Sequence, residues 1–198
     1  MKTIYQLAAE LAAGKTSSRA LVELALARID DPAGEGARAF LRTHADAALL
    51  QASACDQLRL CGIVPSPLAG IPVSVKDLFD IAGEVTRAGS RVRDDAAPAA
   101  ADAAVVARLR QAGAIIVGRT NTVEFAFSGL GLNPHFGTPK NPWDRATGRI
   151  PGGSSCGAAV SVADGMAAMG LGTDTGGSVR IPAALCGLTG FKPTARRI

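Results

Sequence analysis

Residues 149–180 constrain the fold more than any other part of the chain. Their sequence, RIPGGSSCGAAVSVADGMAAMGLGTDTGGSVR, places two glycine-flanked serine sites around one short helical and one strand-like segment. The first site contains Ser154 and Ser155, and the second contains Ser178. Paired glycines before a hydroxyl let the backbone approach a substrate and adopt positive φ angles. The stretch therefore predicts a catalytic centre built from two serine turns.

A serine nucleophile needs a base, and neither His44 nor His135 has a sequence setting that suggests a Ser-His pair. The better candidate is Lys76, which interrupts the apolar, β-branched run of GIPVSVKDLFD, a pattern typical of a strand. Desolvation would have to lower the lysine pKa by about three units, which corresponds to roughly 4 kcal/mol. Asp77 would oppose that shift if it paired with Lys76, but neighbouring side chains on a strand point to opposite faces.

The motifs SVKD, GGSS and TDTGGS resemble those of the amidase signature enzymes, which hydrolyse amides with a serine, a second serine held by a cis peptide, and a lysine. The resemblance implies that Lys76 is the base, Ser154 the proton shuttle and Ser178 the nucleophile. The motif order and the interval of 24 positions between the two serines fit the family pattern. The similarity runs from the first helices to GFKPT, and it implies an α/β fold in which helices flank a mixed sheet.

Further residues near the nucleophile are given supporting roles. Four backbone N–H groups form the predicted oxyanion hole, those of Thr175, Gly176, Gly177 and Ser178. The resemblance suggests that Ser155 hydrogen-bonds within the site. Asp174 and Arg180 flank the nucleophile, and we interpret them as a structural ion pair or a backbone clamp.

Cysteine usage argues against a metal site. The four cysteines form no CxxC pair and have no nearby histidine partners; they are Cys55, Cys61, Cys156 and Cys186. We expect reduced, buried thiols and predict neither metal nor cofactor. Cys156 stands where the family usually has glycine, and because no base is evident for it we favour a small buried filler over a reactive thiol.

Hydrophobic periodicity predicts three structural helices before the lysine strand. They cover residues 3–13, a segment capped by Ser17 or Ser18 that ends near Ile29, and residues 45–60. A helix over 101–112 followed by the buried strand AIIVG indicates an α/β protein. We expect an N-terminal helical segment over residues 1–62 and the N-terminal part of a catalytic core over residues 63–198, within one domain.

The segment after that strand precedes the serine turns. Thr120 is expected to cap a short helix through NTVEFAF, in which Glu124 is interpreted as a buried, hydrogen-bonded carboxylate with no catalytic part. Residues 128–150 form a long loop that is rich in Gly, Pro and Asn, and loops of this length are typically functional or packed by their own side chains. His135 lies in this loop and is predicted to be a surface residue.

Composition excludes some classes of function. The net charge is +4 and the isoelectric point about 9.1, but the arginines are scattered and only 4% of residues are aromatic. These features do not support nucleic-acid binding. Neither a signal-peptide pattern nor a long apolar run is present, so we expect a cytoplasmic protein with a small-molecule amide substrate and no membrane contact.

Three other interpretations stay open. Glycine-rich turns also bind phosphate, although neither serine turn has the GxxxxGK[ST] pattern. Family members are usually more than twice as long as these 198 residues, so we expect the N-terminal part of a longer protein, and a catalytically inactive fragment is an alternative. The resemblance also includes the amidase subunit of the tRNA-dependent amidotransferase. A homodimer or partner subunits are therefore both considered.

Overall fold

A mixed four-stranded sheet forms the centre of the molecule. The computed structural model describes residues 2–195 and 197. The strands are β1 (Phe40–Thr43), β2 (Pro72–Lys76), β3 (Ile115–Thr120) and β4 (Met169–Leu171), in the spatial order β1-β3-β2-β4. β2 runs parallel to both β3 and β4, whereas β1 is antiparallel to β3. This arrangement confirms the predicted α/β class with a mixed sheet.

Seven α-helices are described around the sheet. They are α1 (Ile4–Ala12), α2 (Ser18–Ile29), α3 (Gly36–Ala39), α4 (Ala45–Leu60), α5 (Ala104–Gln111), α6 (Cys156–Ala163) and α7 (Arg180–Leu185). Thr3 and Ser17 cap the first two helices, because their hydroxyls accept the N–H groups of Gln6 and Ala20. The three predicted N-terminal helices are thus confirmed. The helix predicted over 101–112 is confirmed as α5, which is slightly shorter at both ends.

The two faces of the sheet carry separate cores. Ile115 and Val117 of β3 pack with α2, α4 and α6, whereas Ile116 packs with α5 on the opposite face. On β2, Val73 and Val75 belong to the α5 face. Side chains alternate along a strand, so Lys76, one position after Val75, points to the α6 face.

A bulge in β3 changes this alternation before the strand ends. Val73 pairs with Ile116, but the next residue of β2, Ser74, pairs with Gly118. One extra residue of β3 therefore stands between two successive pairs. As a result, Arg119 lies opposite Val75 and on the same face, the face away from α6.

Two expectations about secondary structure need correction. Residues 1–62 are not purely helical, because β1 joins the sheet as an edge strand. The predicted helix through NTVEFAF is only a single 3₁₀ turn, Glu124–Ala126, and Phe125 in it has a positive φ of 48°. An α-helix does not form there, because Phe125 and Ala126 both have positive φ angles and the Phe125 N–H donates to the carbonyl oxygen of Ala88. Thr120 is accordingly the last residue of β3 and not a helix cap.

The cysteines are all free. Cys156 and Cys186 are buried as expected, Cys55 is half-buried, and Cys61 is exposed, so the expectation of buried thiols is wrong for Cys61. In the part of the chain that the structure describes, no three His, Cys, Asp or Glu side chains are grouped closely enough to hold a metal ion. None of the helices within residues 2–195 and 197 has the length and apolar content needed to cross a membrane.

Candidate active site

Lys76 is the last residue of β2, and its side chain is fully buried. The Nζ atom donates to Ser154 Oγ at 2.6 Å and to Thr173 Oγ1 at 2.7 Å. Both acceptors are hydroxyls, so neither supplies a negative charge to balance an ammonium. The structure thus brings the predicted base and the predicted shuttle into direct contact.

The electrostatic setting of Lys76 favours its neutral form. Burial removes the ammonium from water and lowers the lysine pKa to about 8, against the opposing influence of the Cys156 thiol and the Asp174 carboxylate. A neutral amine is present in quantity near pH 8, and a neutral amine can accept a proton. The direction of the pKa shift is the one that the sequence argument required.

Asp77 does not pair with Lys76. Its carboxylate lies on the other face of the strand, where Oδ1 is 2.8 Å from a guanidinium nitrogen of Arg119 and Oδ2 accepts the N–H of Gly89 at 3.1 Å. Both side chains of this ion pair are buried. The predicted separation of the two neighbouring charges is therefore confirmed.

Ser154 lies in a turn that is held by backbone contacts. The Gly153–Ser154 peptide bond is cis, which is the form that the family resemblance implies for the shuttle serine. Ser154 O accepts the N–H of Val123 at 3.1 Å and the hydroxyl of Thr122 at 3.0 Å. Glycine is required at 153, because a Cβ there would lie 2.6 Å from the backbone N of Gly131. The backbone of this turn is thus fixed from several directions.

Ser178 lies in the second turn and is half-buried. Its carbonyl oxygen accepts the N–H of Ser155 at 3.1 Å, which ties the two serine turns together. Ser155 also donates its hydroxyl to Thr173 O at 3.3 Å, as expected for a residue that hydrogen-bonds within the site. Among the described residues, no hydrogen bond joins the Ser178 and Ser154 hydroxyls, so the two serine turns are linked through the backbone and not through these side chains.

Asp174 organises the loop that carries Ser178. Its carboxylate accepts the N–H groups of Gly177 at 2.8 Å and Val179 at 3.2 Å, and it forms a two-pronged pair with the Arg180 guanidinium at 2.9 Å. The hydrogen bond from Arg180 is the main reason that the pKa of Asp174 is held well below its usual range. The geometry is that of an ion pair and of a backbone clamp at the same time.

This clamp changes the predicted oxyanion hole. The Gly177 N–H already donates to the Asp174 carboxylate, so it is not free to bind an oxyanion in this structure. The N–H groups of Thr175, Gly176 and Ser178 have no hydrogen-bond acceptor among the described residues. Three of the four predicted donors thus stay available. α7 begins two residues after Ser178 and has Pro182 in its first turn, where proline is tolerated.

Cys156 is fully buried at the start of α6, where its Sγ lies 3.7 Å from the Asn121 carbonyl oxygen. Burial raises the pKa of this thiol to about 11, so a thiolate nucleophile is disfavoured. The small, buried filler is therefore the better interpretation of this residue.

Glu124 differs from its sequence interpretation. Its side chain is 38% exposed and not buried, because the segment turns outward after Val123. The expected hydrogen bonds are present, since Ser90 Oγ donates to the carboxylate at 2.6 Å and His135 Nε2 lies 3.0 Å from it. The Ser90 hydrogen bond is the main cause that lowers the pKa of Glu124. His135 is part-exposed, as predicted, but it has a carboxylate partner that its sequence neighbourhood did not reveal.

Two residues of this region were missed by the sequence argument. Thr173, the residue before Asp174, is the second acceptor for Lys76. Arg119 partners Asp77, and the signal for it was a charged residue within the otherwise apolar strand AIIVGRT. For Thr173 the signal was weaker, because only its place as the first residue of the TDTGGS motif pointed to the site.

Comparison with known proteins places this geometry in a family. The Amidase family pattern matches residues 20–198, and the chain belongs to the amidase family. Among curated proteins, a glutamyl-tRNA(Gln) amidotransferase subunit from Chromohalobacter salexigens is 46% identical over 197 residues, which are 100% of this chain and 40% of that protein. Another curated relative is the 1-carboxybiuret hydrolase subunit AtzE of Pseudomonas sp.. It is 45% identical over 198 residues, which are 100% of this chain and 42% of that protein.

A solved structure has the same fold. The native peptide amidase from Stenotrophomonas maltophilia superposes with a TM-score of 0.81 at 37% sequence identity, covering 93% of this chain and 38% of that one. The chain spans about two fifths of the length of the curated relatives it matches. The described site therefore represents only the part of the fold that these relatives share with it.

Proposed function

We propose that this chain is the catalytic part of an amidase that hydrolyses a carboxylic amide to an acid and ammonia or an amine. The reaction would pass through an acyl-enzyme on Ser178, with Ser154 as proton shuttle and Lys76 as base. The observation that supports this most directly is the 2.6 Å contact between Lys76 Nζ and Ser154 Oγ in a fully buried setting. A lysine without a carboxylate partner beside a hydroxyl is suited to move a proton.

The proposed steps follow from this contact. Neutral Lys76 accepts the proton of Ser154, and Ser154 accepts the proton of Ser178 as Ser178 Oγ attacks the amide carbonyl carbon. The C–N bond then breaks, and the relay returns the proton to the leaving nitrogen. Water then attacks the ester carbonyl carbon while it gives a proton to the same relay. The C–O bond to Ser178 breaks, the relay returns that proton to Ser178 Oγ, and the acid is released.

The carbonyl oxygen gains negative charge during attack and needs hydrogen-bond donors. The N–H groups of Thr175, Gly176 and Ser178 are the candidates, since Gly177 is engaged with Asp174. Removal of one such donor typically slows an acyl-transfer reaction by about 10²–10³. Asp174 and Arg180 act one step away from the reacting atoms, because they fix the loop that presents these donors.

A second candidate function is that of an amidotransferase component, in which ammonia released from glutamine passes to a partner. The specific observation in its favour is that a relative matched over the whole chain is a subunit of glutamyl-tRNA(Gln) amidotransferase. A second such relative, AtzE, is also a subunit, although of a hydrolase. In that case partner subunits would complete the assembly; as a free-standing amidase, a homodimer is the alternative. For either function we propose a small-molecule amide as substrate, no direct nucleic-acid contact, and the cytoplasm as the compartment.

A serine-directed fluorophosphonate tests the proposed chemistry in the chain as it exists. We expect intact-mass spectrometry to show one adduct, and peptide mapping to place it on Ser178. Ser178→Ala should abolish the adduct and Lys76→Ala should slow its formation by at least about 10²-fold. Lys15→Ala, which removes an exposed lysine, is the matched control and should label at the wild-type rate.

Two results would contradict the proposal. An adduct on another serine would show that Ser178 is not the nucleophile. Labelling of Ser178 at an equal rate in Lys76→Ala and the wild type would show that the lysine is not its base. No adduct at all, in a chain that unfolds cooperatively, would favour the inactive fragment.

A further inference from the structure

We propose that Arg119 is a positioning residue for the amidase reaction, because its pairing with Asp77 both fixes the end of β2 and neutralises the carboxylate next to Lys76. This inference rests on the proposed function. It concerns a residue on the face of the sheet opposite the serines, in a strand that contributes no group to the reaction.

The contacts of Arg119 show how it holds the end of β2. Its Nε donates to Asp77 Oδ1 at 2.9 Å, and another guanidinium nitrogen donates to the carbonyl oxygen of Phe79 at 3.0 Å and to the hydroxyl of Thr86 at 3.2 Å. Arg119 thereby joins β3 to the turn that leaves β2 directly after Lys76. The side chain is 3% exposed, so these bonds are shielded from water.

Arg119 lies on the face of the sheet away from α6 because of the bulge in β3. If the residues of β3 alternated strictly from Ile115 to Arg119, with no bulge, the side chain of Arg119 would lie on the same face as Ile115 and Val117, towards α6 and the lysine. A cation there would add to the positive charge of the site. The bulge instead directs the guanidinium to Asp77.

The pairing matters because Asp77 is adjacent in sequence to a buried base. A buried carboxylate without compensation would favour the ammonium form of Lys76 from across the strand. A unit charge about 10 Å away, at an effective dielectric constant of about 20, changes a pKa by about one unit. With the Arg119 guanidinium at 2.8 Å from Asp77, the two charges largely cancel at that distance.

Other charged groups on this face are also linked to Arg119. Glu84 has an oxygen 3.7 Å from the guanidinium, and its other carboxylate oxygen lies 2.8 Å from His44 Nε2. Burial raises the pKa of Glu84, but the hydrogen bond from His44 and the positive charges of His44, Arg42 and Arg119 hold it below the usual value. Loss of Arg119 would therefore leave two carboxylates, those of Asp77 and Glu84, without their shared cation.

Four groups on the α6 face of the sheet also affect Lys76. Ser154 and Thr173 are uncharged hydroxyls in direct contact, while Cys156 and Asp174 act at longer range. Asp174 is already paired with Arg180. Both carboxylates discussed beside Lys76, those of Asp77 and Asp174, thus have a guanidinium partner, and Arg119 serves the one that follows the base in the chain.

The test measures Lys76 directly and does not require turnover. We would label the full chain with ¹³C,¹⁵N-lysine and follow the Lys76 side-chain NMR signal, assigned with Lys76→Met, as a function of pH. In the wild type we expect a midpoint near 8, and in Arg119→Met a midpoint about one pH unit higher. Arg119→Lys, which keeps the charge, should stay closer to the wild type, and Arg110→Gln, which removes a peripheral guanidinium, should not differ from it.

A double variant separates electrostatics from general disruption. In Asp77→Asn/Arg119→Met both charges are removed, and we expect the midpoint to return towards the wild-type value. The pH profile of Ser178 labelling should move by the same amounts in the same variants. An unchanged midpoint in Arg119→Met, or the same shift in the single and the double variant, would overturn the proposal.

If Arg119→Met does not fold, Asp77→Asn tests the same effect on the Lys76 pKa. Asp77→Asn keeps the guanidinium and removes the carboxylate, so the lysine midpoint should fall by as much as about one pH unit. A midpoint that stays fixed or rises there would overturn the proposal. Because the NMR titration reports on Lys76 alone, absence of Ser178 labelling would count against the proposed function and not against this inference.

Discussion

Two buried cations at the ends of neighbouring strands have opposite surroundings. Lys76 on β2 contacts two hydroxyls and no carboxylate among the described residues, whereas Arg119 on β3 contacts Asp77 directly and has Glu84 at 3.7 Å. Burial penalises the charge in both places. The difference lies in what compensates the charge, and it separates a side chain that can lose a proton from one that stays charged and holds the fold.

The comparison shows how a sheet can carry both kinds of cation within one layer. A buried ammonium without a carboxylate partner lowers the stability of the fold, but it loses its proton more readily. A buried guanidinium with a carboxylate partner has little effect on stability or raises it, and it does not lose its proton. The faces of the sheet keep the two apart, because Lys76 points towards α6 and Arg119 points away from it.

The largest expected contrast is in reactivity. Lys76→Met should slow fluorophosphonate labelling of Ser178 by about 10³-fold, because the proton path loses its base. Arg119→Lys should slow it by less than about 10-fold, since the charge beside Asp77 is retained. Both rates would be measured by intact-mass spectrometry near pH 8. Equal losses in the two variants would remove the distinction between base and fold-holding cation.

Stability should respond in the opposite sense. Asp77→Ala leaves the Arg119 guanidinium buried without its main partner, and we expect a loss of about 3 to 5 kcal/mol in the free energy of unfolding. Asp102→Ala, which breaks a peripheral pair with Arg110, is the control and should cost less than about 1 kcal/mol. Urea unfolding followed by circular dichroism measures both. Similar losses in the two variants would mean that burial of the Asp77–Arg119 pair adds little.

Stability should also depend on pH through Lys76. Its pKa falls from 10.5 to about 8 on folding, so between these values the unfolded chain binds more protons than the folded one. The free energy of unfolding of the wild type should therefore rise relative to Lys76→Met as pH increases from 8 to 10.5, by at most about 3 kcal/mol. Below pH 8 the difference should be constant. A difference that falls with rising pH would show that the ammonium is stabilised in the fold.

The smallest expected effect concerns Thr173. Thr173→Val removes one of the two acceptors that orient Lys76 Nζ, and the loss of one hydrogen bond corresponds to about a 10-fold slower labelling of Ser178. Thr173→Ser should restore most of the rate, because the hydroxyl is retained. Thr189→Val, at an exposed position, is the matched control. A normal rate in Thr173→Val would leave Ser154 as the only contact that Lys76 needs.

Sequence reasoning predicted those parts of the site that depend on local chain geometry. Alternation along a strand was enough to separate Lys76 from Asp77, and paired glycines were enough to locate the serine turns. It did not find Arg119, because its face depends on a bulge that only strand pairing reveals. It also placed Glu124 in a helix, since hydrophobic spacing cannot show that the Phe125 N–H donates to Ala88 O and that Phe125 has a positive φ. β1 was missed because it is only four residues long and gains its stability from β3.

The oxyanion donors show the same limit. The glycines of TDTGGS indicated a loop with free N–H groups, but the sequence could not show that Gly177 donates to Asp174. Catalytic roles for these residues, and the boundary between residues 1–62 and 63–198, stay predictions.

The hydrogen bond from Ser155 N–H to Ser178 O offers a view of motion at the site. An amide proton exchanges with solvent deuterium only when its hydrogen bond opens. The exchange rate of the Ser155 amide therefore reports how often the two serine turns separate, and it can be measured in a single peptide. A substrate analogue that orders the loop of Ser178 would lower this exchange rate, even if it contacted neither the Ser155 N–H nor the Ser178 carbonyl oxygen.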